Sequence, residues 1–329
     1  MINIAQIGVG YWGPNLLRNL VENPKCNIIR VVDLSEERQA YVKKTYPNID
    51  TSNSIDDIIN DPNIEAVVIA TPVFTHYDLA MQCLGSGKNI LVEKPLATKY
   101  EEIETISKIA KKNNLIAMVG HTFLYNSAVK YMKEVIDSGE LGDIRYIYSQ
   151  RLNLGRIRED VDALWNLAPH DISIVQYLLN DAEPLSIKRS GQSYVQKNID
   201  DVVFLNLKYP KNILVNIHVS WLDPNKVRKM TVVGSKKMVV YDDIDKNKIK
   251  IYDKGIDKLA VLGKNMDFDS ASNYEFYHRD GDVTIPKIEW VEPLKSEIAH
   301  FIDCISNNKN CLTDSFHAGK VVKILESIS

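Results

Sequence analysis

The chain has 329 residues, of which 45% are apolar, so it is long enough for two domains that each bury their own core. Its 40 basic and 43 acidic residues give a formal net charge of −3, and no overall field favours nucleic acid or an anionic membrane. It shows neither a charged leader with an apolar segment behind it nor a run of about eighteen apolar residues. We therefore expect a cytoplasmic protein that does not span a membrane.

The first 120 residues alternate between apolar strands and helical patterns. Strands are predicted at 2–9, 28–33, 66–72, 89–95 and 116–120, and helices at 14–23, 36–45, 54–60, 76–86 and 99–113. This alternation predicts a doubly wound parallel sheet, and the strands are continuous apolar runs because helices cover both faces.

The pattern changes after Gly120. One helix is predicted at 127–138, followed by long alternating strands at 144–154, 185–195, 201–209, 212–221 and 228–241. This favours a second, mostly antiparallel α/β domain, so we divide the chain into residues 1–121 and 122–329. The segment 245–288 has no pattern that we can assign.

Residues 2–33 have the order strand, glycine turn, helix, strand, with Gly8, Gly10 and Gly13 in G-x-G-x-x-G spacing. Gly8 permits the tight turn, Gly10 lets backbone N–H groups approach a pyrophosphate, and Gly13 lets the helix pack close to the strand. Asp33 can accept both hydroxyls of an adenosine ribose and repel a 2′-phosphate. The sequence therefore predicts a site for NAD rather than NADP, although Arg38 nearby weakens that preference; the alternative is a plain β–α turn.

Ligands of open α/β sheets bind beyond the carboxyl ends of the strands, which brings several turns of the first domain to one surface. Besides the three glycines and Asp33, we predict cofactor contacts from Tyr11, Trp12, Leu34, Arg38, Thr71, Pro72, Thr75, His76, Glu93, Lys94 and His121. For His76, the alternative is an exposed histidine at the start of its helix.

Two segments carry groups that can do chemistry. Lys94 closes an apolar strand, where an ammonium can stabilise an alkoxide and polarise a carbonyl, or can simply be solvated. In the helix WNLAPHDISIVQYLL, Asn166, His170 and Ser173 share one polar edge at spacings of three and four. A histidine there can take a hydroxyl proton while hydride leaves the same carbon. Lys94, His170 and Asn166 are therefore our candidate catalytic residues.

Three arginines, Arg151, Arg156 and Arg158, lie within eight residues of one another just before that helix. Arginine matches phosphate oxygens in a bidentate manner, so this group suits the diphosphate of a nucleotide sugar, or it forms a solvated loop with neighbouring acids. Further substrate contacts are predicted for Tyr125, Asn153, Trp165, Asn166 and His170, although core packing is the commoner fate of tryptophan.

Cys26, Cys83, Cys304 and Cys311 show no C-x-x-C or Cys/His ligand spacing. We therefore predict no metal site and four idle or buried thiols in a reducing compartment.

Taken together, these segments resemble the Gfo/Idh/MocA oxidoreductases, which act on sugars, inositols and nucleotide sugars. The resemblance rests on GVGYWG, ATPVFTH, VEKPLA, the segment from VKYM to SGELGDI, NLAPHD, and the ending DSFHAGKVVKILESIS. It implies a Rossmann domain, an α/β domain with a large open sheet that commonly mediates oligomerisation, and a homodimer or homotetramer. It also implies that Lys94 is the lysine of the Glu-Lys-Pro motif and that His170 is the family's active-site histidine.

The chain departs from the family at Asn166, where many members carry an aspartate. An amide cannot hold Lys94 charged by Coulombic attraction, so we expect Lys94 to share acid/base duty with His170. By analogy with family members, the sequence indicates an NAD-dependent dehydrogenase that oxidises C3 of a UDP-N-acetylhexosamine or its uronate in surface-polysaccharide synthesis. The alternatives are a free-sugar or inositol dehydrogenase, a regulator that binds dinucleotide or sugar without turnover, and an enzyme that recycles bound NAD during elimination.

Overall fold

The computed structural model describes residues 1–155, 157–159, 161–260 and 274–328. The chain divides into two compact units. The first unit consists of Met1–Ser127, Leu164–Asp181 and Trp290–Ser329, and the second of Ala128–Ala163 and Ala182–Glu289. The chain thus returns twice to the first unit after leaving it. The domain boundary that we predicted between residues 121 and 122 stays a prediction.

The first unit contains a parallel sheet that has six strands in the described ranges. Its strands are β1 (Ile2–Ile7), β2 (Cys26–Val32), β3 (Asp50–Ser52), β4 (Ala66–Ile69), β5 (Asn89–Glu93) and β6 (Ala117–Gly120). They lie in the order β3-β2-β1-β4-β5-β6, which confirms the predicted doubly wound sheet. Sequence inspection missed β3, because its three residues, Asp-Thr-Ser, have no apolar run.

Helices cover both faces of this sheet. They are α1 (Gly13–Val21), α2 (Glu36–Thr45), α3 (Asp56–Ile59), α4 (His76–Gly85), α5 (Tyr100–Lys112), α7 (Ala163–Leu178), α8 (Pro293–Asn307) and α9 (Ser315–Glu326). One core cluster joins strand residues to Leu16 of α1 and Phe301 of α8, and another joins them to Ile103 of α5 and Val322 of α9. The C-terminal helices α8 and α9 therefore each complete one of the two core clusters.

The second unit begins with α6 (Ser127–Asp137) and contains a sheet with eight strands among the described residues. These are β7 (Ile144–Leu154), β8 (Ser186–Gln192), β9 (Val202–Tyr209), β10 (Ile213–Ser220), β11 (Leu222–Gly234), β12 (Met238–Asp242), β13 (Ile249–Ala260) and β14 (Tyr274–Thr284). Their order is β14-β13-β12-β11-β7-β10-β9-β8, with β7 and β10 parallel and the other pairs antiparallel. The predicted mostly antiparallel sheet is confirmed.

Two strand assignments needed correction. The single strand predicted at 228–241 is wrong, because a turn closed by the hydrogen bond from the Gly234 N–H to the Lys237 carbonyl separates β11 from β12. The unassigned segment 245–288 contains β13 and β14. Its many charged and polar residues hid the alternation that would have indicated these strands.

One face of this sheet is open in the single chain. Tyr146, Tyr148, Phe204 and Leu214 are 46%, 37%, 41% and 52% exposed. Strand pairing sets Tyr146 beside Leu214, and alternation along β7 directs Tyr148 to the same face. None of the helices in the described ranges has the length and hydrophobicity that a bilayer crossing requires.

Candidate active site

The glycine turn, Gly8–Gly13, follows β1 directly and opens α1. Gly8 has a φ of +92°, and an added Cβ would lie 2.5 Å from the carbonyl oxygen of Ala70. At Gly13 an added Cβ would lie 2.5 Å from the carbonyl oxygen of Gly8. Both glycines are thus required by the packing of the chain on itself.

Gly10 is different, because no heavy atom of the described residues, apart from Gly10 itself and its two chain neighbours, lies within 4 Å of the position that a Cβ would take. The open space adjoins the turn that leads into α1, where backbone N–H groups at a helix N-terminus favour an anion. A side chain at residue 10 would fill this cradle. The residues of the turn therefore fit a dinucleotide, with Gly10 and the start of α1 next to its phosphates.

Gln6 holds the glycine turn in shape, and sequence inspection missed it. Its side chain is fully buried in β1, and Nε2 donates to the carbonyl oxygens of Gly8 and Gly13, both at 2.9 Å. The available signal was an amide inside an otherwise apolar strand. A buried amide is stable there because it joins both ends of the turn.

Asp33 lies just past β2 and faces the same turn. Its Oδ2 accepts the N–H of Val9 at 2.7 Å, and its Oδ1 accepts the N–H of Ser35 at 2.9 Å. The Ser35 hydroxyl in turn caps α2 by accepting the N–H of Arg38. The carboxylate is thereby fixed at the strand end, and its predicted contact with a ribose stays a prediction.

Other predicted cofactor residues line the rim of the turn. Tyr11 is 90% and Leu34 87% exposed, and Trp12 is 41% exposed while donating a hydrogen bond to Glu93. The Arg38 side chain is also exposed, at the start of α2. Their exposure leaves them accessible to a ligand, and their roles remain predictions.

The turn after β4 is bound to the turn after β5 through His76. Its Nε2 lies 2.9 Å from the carbonyl oxygen of Thr71, and its Nδ1 lies 2.8 Å from that of Pro95. His76 is 1% exposed, and burial lowers its pKa. The alternative of an exposed histidine is therefore wrong, since the ring joins two strand ends.

Two hydroxyl groups stiffen the same turn. Oγ1 of Thr71 lies 2.7 Å from Oγ1 of Thr75, which also donates to the Pro72 carbonyl at 2.8 Å. The predicted contacts of these three residues with a cofactor are not changed by this finding.

Glu93 and Glu297 are acids in an apolar setting. Burial raises the pKa of Glu93 to about 7, although the charge of Lys94 and hydrogen bonds from the Lys94 N–H and Trp12 lower it. Glu297, in α8, is fully buried, and burial followed by repulsion from Glu93 raises its pKa well above the usual range. The buried setting of Glu297 therefore favours its protonated form. Sequence inspection missed it, although a charged residue on the apolar side of α8 was the available signal.

Lys94 is held by α7. Its Nζ donates to the backbone carbonyl of Asn166 at 3.0 Å. The acceptor in this contact is the main chain of Asn166. His170 follows one turn later in the same helix, with its ring edge-on to Phe123 at a centroid distance of 5.0 Å. The three candidate catalytic residues are thus joined by one strand end and one helix.

Tyr125 is a core residue rather than an accessible one. It is 2% exposed, and its hydroxyl lies 3.0 Å from Oγ1 of Thr313. The short 3-10 helix Thr122–Tyr125 turns this side chain inward. The structure therefore gives no support to the predicted contact between Tyr125 and a sugar.

The other predicted substrate residues have different settings. Arg151 is 4% exposed in β7, Asn153 is half-buried near the end of that strand, and Arg158 is exposed. Arg156 lies outside the described residues. Trp165 packs against the core of the first unit. Arg151 and Arg158 therefore do not share one solvated environment, and the predicted contact of the three arginines with a diphosphate stays a prediction.

The cysteines are buried and free, as predicted, but a Cys/His group went unnoticed. His300, Cys304 and Cys311 have their ligand atoms within 4.8 Å of one another, with His300 and Cys304 one helical turn apart. Nε2 of His300 already accepts the N–H of Leu312 at 3.0 Å, and burial raises the pKa of both thiols. Protonated thiols and an occupied lone pair suit hydrogen-bonded packing better than metal binding.

Two models of known protein families match this chain. A model described as an oxidoreductase family with an NAD-binding Rossmann fold matches residues 2–121, and one described as the GFO/IDH/MocA C-terminal domain matches residues 129–240. The chain belongs to the Gfo/Idh/MocA oxidoreductase family. The first unit of this family member is therefore an NAD-binding Rossmann fold, in agreement with the open space at Gly10.

Its relatives within the Gfo/Idh/MocA family have several activities. A 2,7-anhydro-N-acetylneuraminate hydratase of Mediterraneibacter gnavus is 25% identical over 225 residues, which cover 64% of this chain and 59% of that protein. An inositol 2-dehydrogenase of Salmonella paratyphi B is 26% identical over 222 residues, which cover 65% of this chain and 66% of that protein. The chain spans less than two thirds of the length of these relatives.

A solved structure extends the likeness to the whole fold. UDP-N-acetylglucosamine 3-dehydrogenase GnnA from Acidithiobacillus ferrooxidans has a TM-score of 0.81 at 21% identity, with 99% of this chain and 96% of that chain covered. At this identity the comparison shows a common fold.

Proposed function

We propose that this chain is an NAD-dependent dehydrogenase that oxidises a secondary hydroxyl of a nucleotide sugar, at C3 of a UDP-N-acetylhexosamine or its uronate. The observation that carries the proposal is the 3.0 Å hydrogen bond from Lys94 to α7, because it holds an ammonium at a strand end of the dinucleotide-binding sheet. The likeness to the UDP-N-acetylglucosamine 3-dehydrogenase supports the choice of substrate.

The chain's own residues would act on the hydroxyl proton. Bound NAD supplies the hydride acceptor, and Gly10, Asp33 and the start of α1 would hold it. Lys94 would stabilise the alkoxide by charge, and His170 on the same helix as Asn166 would share the removal of the proton. Surface-polysaccharide synthesis in the cytoplasm is the setting that we propose for this reaction.

Reduction of NAD, followed by absorbance, tests this function directly. UDP-N-acetylglucosamine, UDP-N-acetylgalactosamine and their uronates should reduce NAD, and the product should react as a ketone. Reduction by free sugars or inositols alone would favour the second candidate, which the similarity to an inositol 2-dehydrogenase supports. Loss of a substrate C–H to solvent without net NADH would instead indicate an elimination that recycles the cofactor, and binding without turnover a regulator.

We also propose that the chain forms a homodimer or homotetramer through the open sheet face defined by Tyr146, Tyr148, Phe204 and Leu214. Four large apolar side chains on one exposed face are typical of a buried interface. A Tyr148→Glu variant should shift the mass in light scattering to that of a single chain. An unchanged oligomer would exclude this face.

A further inference from the structure

Two buried histidines of the first unit touch one another. His121 follows β6, and His317 lies in the first turn of α9. They are 2% and 3% exposed, and their rings meet edge to face at a centroid distance of 5.5 Å. His317 had no place in the predicted site, so its burial beside a predicted cofactor residue calls for a physical reason.

Asp181 orients His317. Its Oδ1 lies 2.8 Å from Nδ1 of His317, and Oδ1 of Asp314 accepts the backbone N–H of His317 at 2.9 Å. A carboxylate at Nδ1 favours the tautomer that carries its proton there, which leaves Nε2 as the basic nitrogen. The Asp181 side chain is 30% exposed, so this end of the group reaches solvent.

Two ring nitrogens at this contact have no evident structural use. Nδ1 of His121 and Nε2 of His317 are buried and, among the residues that the structure describes, accept or donate no hydrogen bond. Leaving such a group unpaired costs about 1–3 kcal/mol, and buried polar atoms are normally paired. Apolar side chains of similar size would avoid that cost. Two such nitrogens on touching rings suit proton transfer, since imidazole rings rotate readily about their last side-chain bond.

The charge of Lys94 acts on His121. Burial lowers the pKa of His121 well below its usual range, and the charges of His317 and Lys94 lower it further. His121 is therefore neutral when at rest and able to accept a proton briefly. The charged groups that act on the pair are Lys94, Asp181 and Asp314.

We propose that His121 and His317, oriented by Asp181, form a buried relay that exchanges the proton of Lys94 with solvent. The relay rests on the proposed dehydrogenase function. Before the substrate reacts, the Lys94 ammonium gives one proton to His121, His121 gives one to His317, and His317 releases one to water beside Asp181. When the substrate C–H bond breaks, its electron pair would leave as hydride to bound NAD, and the hydroxyl proton passes to the neutral Lys94 amine, which becomes an ammonium again. The relay only transfers protons, so no other reactant is needed.

His317→Asn is the decisive variant, because its amide N–H can still bind Asp181 but cannot carry a proton. We expect kcat to fall about thirtyfold with KM and NADH affinity unchanged, because proton release becomes slow. The solvent isotope effect on kcat should rise, and added imidazole should restore part of the activity. His278→Asn, at an exposed position in β14, is the matched control and should behave as the wild type.

Asp181→Asn gives a second arm in case His317→Asn fails to fold. It should lower kcat and raise the solvent isotope effect as His317→Asn does, because Nδ1 of His317 loses the carboxylate that orients it. An active wild type with an equally active His317→Asn, or a loss of kcat with no change in isotope effect and no rescue, would overturn the relay alone. An inactive wild type would count against the proposed function. Independently of turnover, nitrogen NMR that finds the proton of His317 on Nε2 would also overturn the relay.

Discussion

The glycine turn and the region around Lys94 lie in the same compact unit, but they are assembled differently. The turn, its clamp Gln6 and Asp33 all lie within residues 6–33 and are joined by hydrogen bonds between side chains and backbone. The region around Lys94 brings together strand ends, α7 and α9 through side chains such as His121 and His317. Residues that are close in sequence can thus form the binding turn, whereas the proposed proton relay needs residues from distant segments of the first unit.

If this contrast is right, loss of the Lys94 side chain should abolish turnover and leave binding of the dinucleotide nearly unchanged. Lys94→Met should lower kcat about a thousandfold, because it removes the charge that stabilises the alkoxide. NADH affinity, measured by fluorescence titration, should change less than about threefold. Lys99→Met is the matched control, since its side chain is 67% exposed only five residues later, and it should keep full activity. A fully active Lys94→Met would contradict the assigned role.

Two glycine variants separate folding from binding within the turn. Gly13→Ala should lower the free energy of unfolding by more than about 3 kcal/mol, because its Cβ would collide with a backbone oxygen at 2.5 Å. Gly10→Ala has open space and should unfold like the wild type, yet bind NAD about tenfold to a hundredfold more weakly. Denaturant unfolding and calorimetric titration measure the two effects. Equal loss of stability in both variants would mean that Gly10 serves only the fold.

The same contrast explains what sequence could predict. The glycine turn, Asp33 and Lys94 could be predicted from the sequence, because strand ends and glycine spacing are local patterns. The burial of Tyr125 was not predicted, because the 3-10 helix that turns it toward Thr313 leaves no periodic signal. His317 and Glu297 were missed because their partners are distant in sequence and only the packing of α8 and α9 brings them near Lys94 and Glu93.

Glu93 gives the smallest and most pH-specific effect. Its pKa rises from 4.5 to about 7 on folding, so the native state holds a proton that the unfolded chain has lost. The free energy of unfolding should therefore be highest below pH 4.5 and fall by about 3 kcal/mol as the pH rises from 4.5 through 7. Glu93→Gln should flatten this slope, and Glu101→Gln, at an exposed position in α5, should not. If the free energy of unfolding of Glu93→Gln depended more steeply on pH than that of the wild type, the pKa of Glu93 would not be raised by folding.

The central claim is that a dinucleotide bound at the glycine turn lies beside Lys94. Reductive methylation of the native protein, followed by mass spectrometry, tests it without any knowledge of the substrate. NAD should protect Lys94 and leave the exposed Lys99 reactive, and the same NAD concentration should protect Lys94 much less in Gly10→Ala. Equal methylation of Lys94 with and without saturating NAD would contradict a shared site.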